Sequence, residues 1–185
     1  TIFQDDVTAT NVNVNAGTST FQDNLTATTT TITTGTGNFN TLSGTTNSDI
    51  VFGADGIANL NNGLTGNVIT DANNQGTLNL VGNNNQIVTG TVGDITNSLK
   101  IVNSGVNATS SIFNDKVYAQ TINNTGTGAT TFQDNVTATN VNVNAGTSTF
   151  QDNLTATTTT ITTGTGNFNT VSGTTTSDIV FGGIG

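Results

Sequence analysis

The side chains in this chain that could do chemistry are few and repetitive. Every acid is an Asp, the only cations are Lys100 and Lys116, and Glu, Arg, His, Cys, Met, Trp and Pro are absent. Four of the acids stand in a recurring Phe-Gln-Asp word: Asp5 in FQDDVTA, Asp23 and Asp152 in FQDNLTA, and Asp134 in FQDNVTA. Carboxylates placed one above another, beside Asn24 and Asn153, could hold a calcium ion, a hard cation that takes oxygen ligands. A plainer role is favoured, in which each Asp closes an Asx-turn after the Phe. Two like charges about 5 Å apart in a solvated turn repel by only ~1 kcal/mol, so stacking them needs no metal. DANNQG, from Asp71 to Gly76, opens like a helix-loop-helix calcium loop, but its twelfth position is Gly82 where a Glu is required, so it reads as a turn. Calcium is the one cofactor these residues suggest.

Catalysis finds little support. A general acid or base needs charged or buried neighbours to tune it, and Lys100 and Lys116 fall in different rungs of the expected coil. No catalytic residue is expected, and a polysaccharide-active enzyme remains a lesser alternative. Without Cys there is no thiol nucleophile, disulfide or cysteine zinc site. A net charge of −9 repels a phosphate backbone, which argues against nucleic-acid partners. No apolar run approaches the roughly 20 residues of a membrane-spanning helix, so no membrane insertion is expected.

The elements that must carry these words are periodic. Residues 3–53 match residues 132–182 at an offset of 129, with three differences: Asp6/Asn135, Leu42/Val171 and Asn47/Thr176. The chain thus holds one long repeat, 3–131, and part of a second, 132–185. Inside it, Phe3, Phe21 and Phe39 are 18 apart, as are Phe132, Phe150 and Phe168, with Phe113 one residue out of step. Seven steps of about 18 residues would fill the long repeat, a length typical of stacked solenoid coils. Within a step the alternation has period 2: Val7 and Ala9 face inward, the pattern slips at Thr10 and Asn11, and Val12, Val14 and Ala16 resume it. Leu25, Ala27, Thr30, Ile32 and Thr34 fall at the matching points of the next step, and Ser48, Ile50 and Phe52 would stand where Val12, Val14 and Ala16 stood. Alternating β-branched residues bounded by Gly and Asn indicate short strands. The expected fold is all-β, a single parallel β-helix (β-solenoid) segment over 1–185, with about 18 residues per rung and roughly ten rungs. A β-sandwich is the alternative, but it requires no 18-residue period.

On this reading the structural core is one column of Phe3, Phe21, Phe39, Phe113, Phe132, Phe150 and Phe168, with Val12, Val14, Ile32 and Ile50 lining neighbouring columns. Leu42 and Val171 fall outward. Thr8 and Thr10 over Thr26 and Thr28 give outward Thr pairs like those of ice-binding β-helices, but only two rungs deep, a weak basis for that function.

The stretch from Gly63 to Gly105, with TGNV, ANNQGTLNL, VTGTVG and NSLKIVNSG in order, resembles the passenger repeats of rickettsial surface cell antigens, autotransporters of the outer-membrane protein B type. The resemblance implies a right-handed β-helix, export to the extracellular bacterial cell surface, and a part in adhesion or surface coating, with a host-cell or neighbouring-cell surface as partner. It carries over no receptor site residue. The expected function is therefore a rigid stalk or adhesin segment. The alternative is a subunit that stacks on itself, end to end or laterally, into an extracellular filament or sheath.

Overall fold

The computed structural model describes residues 1–107 and 110–183, and all of their regular structure is strand. Two ten-stranded sheets run through these residues, and their neighbouring strands pair in parallel. The chain winds in one direction as stacked coils of about 19 residues, about nine deep: a β-solenoid. At about 4.8 Å per turn the rod is roughly 43 Å long.

Pairing registers divide each turn into three faces. The first carries Thr18–Phe21 and Thr36–Phe39 at one end of the rod. The long strands Val7–Val14 and Leu25–Ile32 supply the second face with their first halves and the third with their second halves. The bend is written in the burial of Leu25–Ile32: Leu25 and Ala27 are inward, Thr28 and Thr29 both lie outward of the core, and Thr30 and Ile32 are inward again. The period-2 alternation slips by one residue there, which is the slip the sequence shows at Thr10 and Asn11. Thr46–Phe52 adds a register shift against Leu25–Ile32, between Thr26 and Thr29. As a result Ile50 lies over Thr30 and Val12, and Phe52 over Ile32 and Val14. The expected placement of Ser48, Ile50 and Phe52 over Val12, Val14 and Ala16 is thus two residues out.

The expected single Phe column is also wrong. Phe3, Phe21 and Phe39 do stack on the first face, with ring centroids 4.9 and 5.4 Å apart. Above them that column continues through Leu60, Leu80, Ser104 and Asn124 to Val143, Ile161 and Phe181. Phe113, Phe132, Phe150 and Phe168 form a separate stack, at 5.0, 5.0 and 5.6 Å, on the second face. It rises from Val7, Leu25, Thr46, Leu64 and Val88. The third face carries Val12, Thr30, Ile50, Val68, Val92, Val117, Val136 and Leu154.

The cause is the length of the degenerate middle. Phe39 pairs with Leu60 and Asn79 with Asn103, so turns there take more than 18 residues. Six turns above Phe3 the first face reaches Asn124, and the chain must still run on to the second face to reach Phe132. The 129-residue repeat therefore spans six turns and one face, not seven turns. Each motif of the first copy reappears one face further round. VTA, on the second face at Val7, is on the third at Val136, and TSTF moves from the first face at Phe21 to the second at Phe150.

Candidate functional site

The interior is the most completely built part of the molecule. Phe21, Phe39, Phe113, Phe132 and Phe150 are fully buried, as are Val14, Ile32 and Ile50. Phe3 is 37% exposed on the first rung, and Val12 and Phe168 are partly buried against the core. Successive rings are within 7° of parallel at about 5 Å, an offset face-to-face stack imposed by the parallel register. Inward Thr and Ser hydroxyls find partners on neighbouring turns: Thr30 bonds Ser48 at 2.9 Å and the Thr130 hydroxyl donates to Ser104 at 2.9 Å. Small hydroxyl residues thus narrow the core without leaving buried polar groups stranded.

Outside, the first face carries a feature that the 18-residue period hides. Asn38, Asn59, Asn79, Asn103, Asn123 and Asn142 stand one above another, half-buried. From Asn59 upward each side-chain amide donates to the carbonyl oxygen of the Asn below, at 2.7–2.8 Å, and the Asn38 amide donates to the Thr20 hydroxyl at 3.3 Å. The ladder crosses the boundary between repeats: Asn38 comes from the TGNF word and Asn142 from NVNV. Its sequence signal is an Asn immediately before each inward residue of that face, but the irregular spacing in the middle turns obscures it. Replacing Asn79 by Ala removes two of these bonds and leaves the Asn103 amide and Asn59 carbonyl half-buried without partners. A loss of about 1–3 kcal/mol is expected in urea titration, against about 0.5–1.5 kcal/mol for Asn142→Ala, which breaks one bond.

The acids lie at corners. Asp5 and Asp23 follow paired Phe residues of the first face, whereas Asp134 and Asp152 follow paired Phe residues of the second, so the four make two separate pairs. The Asp134 carboxylate accepts from the Asn135 amide at 2.6 Å, and Asp115 accepts from the Lys116 amide at 2.7 Å; both bonds go to the next residue and not to the one after it, so neither is the expected Asx-turn. Asp23 takes the Ser43 hydroxyl, and its own carbonyl accepts from the Asn40 side chain at 2.9 Å. Among the described residues no three acids gather where one ion could bind them all. In the Asp71 turn, Asn74 takes positive φ before Gln75–Leu80 runs on as strand, and Gly76 takes it as the second residue of that strand. The outward Thr rank passes from Thr8 and Thr26 to Asn47 and Thr65.

Two carboxyl groups are held below the ordinary range. Asp55 is lowered by the hydrogen bond from Lys100, whose ammonium lies 2.8 Å away. Asp94 is lowered by the Thr96 hydroxyl and the amides of Asn97 and Thr96. Both members of the Asp55–Lys100 pair are about half exposed, so the pair adds less than about 1 kcal/mol. Its sign is that of a depressed acid: the contribution is present above the unfolded value, about 3.9, and is lost as pH falls through the folded one.

No family model matches the chain, and no curated protein and no solved structure matches it significantly.

Proposed function

We propose that this chain is a structural segment of an exported bacterial surface protein, a rigid stalk or adhesin passenger that works by extending a rod and carries no reaction of its own. The observation that supports this most is the repeat itself. Copying 129 residues adds six turns and one face while every core column stays continuous, so the unit lengthens the rod without a new interface. Cell-surface display follows from the resemblance of residues 63–105 to rickettsial passenger repeats. Antibody raised against this chain should decorate intact cells of the source organism, and brief protease treatment of those cells should remove the label. Labelling only after lysis overturns the proposal.

A second reading is self-stacking into a filament, which suits a rod whose rungs all pair in parallel with rungs of similar shape. Electron microscopy of the purified chain separates the two readings: isolated short rods favour the stalk, continuous fibres the filament.

A further inference from the structure

The outward side of the third face carries the chain's one tyrosine, Tyr118. Val92 pairs with Val117, which sets Gly93 opposite Tyr118 and leaves no side chain there. A Cβ on Gly93 would come within 2.3 Å of the Tyr118 carbonyl oxygen. After Gly93, which has a φ of +67°, the chain leaves the rung and forms a ledge, residues 94–98. The ledge is braced. Asp94 Oδ1 accepts from the Thr96 amide and hydroxyl, both at 2.6 Å, and from the Asn97 amide at 2.8 Å. The Ser98 hydroxyl donates to Asn73 Oδ1 on the turn below, at 2.7 Å. On this ledge Ile95 is 80% exposed.

Two open grooves of about 220 and 320 Å³ meet here, sharing Ile95, Tyr118 and Thr137 as walls. One includes Gln120 in its lining, the other Asn135 and Thr155. Their lining is neutral except for Asp94, and Asp94 Oδ1 is engaged within its own loop. Asn135 is one of the three positions that differ between the copies; its counterpart Asp6 is charged. The hydroxyls of Tyr118, Thr137 and Thr155 and the Gln120 carboxamide make no hydrogen bond within the chain among the described residues.

An aromatic ring, an apolar shoulder and unpaired hydroxyl and amide groups, with a single carboxylate at the edge and no cation, match one ligand chemistry. A pyranose presents an apolar C–H face that packs on an aromatic ring and a rim of hydroxyls that both donate and accept. A braced site binds such a ligand with little ordering cost, and Tyr supplies contact area with few rotatable bonds. We infer that the grooves flanking Tyr118 form a binding site for a neutral glycan, with one sugar ring stacked on Tyr118 and its neighbours bonded to Thr137, Asn135 and Thr155. The site is built from the degenerate middle of one repeat and the start of the next, so it exists only where two repeats join. It does not depend on where the rod is displayed.

The chain has one Tyr and no Trp, so its tyrosine emission reports on this groove alone. Titration with cellotetraose, tetra-N-acetylchitotetraose and maltotetraose should give a saturable emission change with at least one of them, and none with tetragalacturonate. Calorimetry with the responding sugar should show at least about tenfold weaker binding for Tyr118→Ala and for Thr137→Glu, with thermal unfolding unchanged. Asn135→Asp tests the groove without removing its aromatic wall and should weaken binding as well. The inference is overturned if no neutral tetrasaccharide binds at millimolar concentration, if only the anionic one does, or if Tyr118→Ala binds as tightly as the parent.

Discussion

Replacing Phe132 by Ala should destabilise the rod by about 3–5 kcal/mol, the cost of deleting a fully buried ring that its neighbours cannot close over. Phe132 has a ring at 5.0 Å on both sides, Phe113 and Phe150, and parallel strands above and below fix the spacing, so the gap cannot collapse. Phe3→Ala should cost far less, because Phe3 is 37% exposed and has a ring partner on one side only. The same residues test the division of the Phe column. Phe39 and Phe132 belong to different stacks several turns apart, so Phe39→Ala and Phe132→Ala should add within about 0.5 kcal/mol. Phe132→Ala with Phe150→Ala should depart from additivity, since the two rings touch. Urea titration measures both, with amide hydrogen exchange around each site as a second reading, because long repeat arrays can lose two-state behaviour.

Gly146→Ala should be much more damaging than Gly17→Ala, although both glycines stand in the same NVNAGTST context. Both have positive φ, +65° and +68°, so each substitution carries the left-handed penalty of about 1–2 kcal/mol. Gly17 is at the first rung, and a methyl there meets nothing within 4 Å. Gly146 lies against the turn containing Gly128, whose carbonyl oxygen would be 2.2 Å from the new methyl carbon. The obstacle is backbone and cannot rotate away, so a further 1–3 kcal/mol or so of overpacking is expected. Equal urea midpoints for the two variants would mean that the turns are not stacked in this register.

Much of the fold was legible because a solenoid repeats its physics locally. The period-2 alternation of Val7–Val14, its slip at Thr10 and the Gly and Asn bends each follow from short-range rules, and Leu42 and Val171 are outward as expected, 73% and 74% exposed. Phase around the axis was not legible. An 18-residue spacing between Phe residues is equally compatible with any face. The phase depends on turn lengths between Phe39 and Phe113, where loops such as residues 94–98 add residues without changing the strand pattern. The Asn ladder and the Tyr118 grooves were missed for the same reason: each unites residues whose spacing is irregular in sequence and regular only along the axis.

The rotation of the repeat by one face is the claim on which the rest depends, and the absence of native Cys makes it directly measurable. Ile87 and Ile112 are register partners on the second face, close enough for a disulfide once both are Cys. Under mild oxidation Ile87→Cys/Ile112→Cys should cross-link within a single chain, and Asp94→Cys/Ile112→Cys should not. A seven-turn repeat of 18-residue steps with one continuous Phe column would instead set Phe113 over Ile95 and Ile112 over Asp94. It would close the Asp94 pair, leave the Ile87 pair open, and contradict the architecture described here.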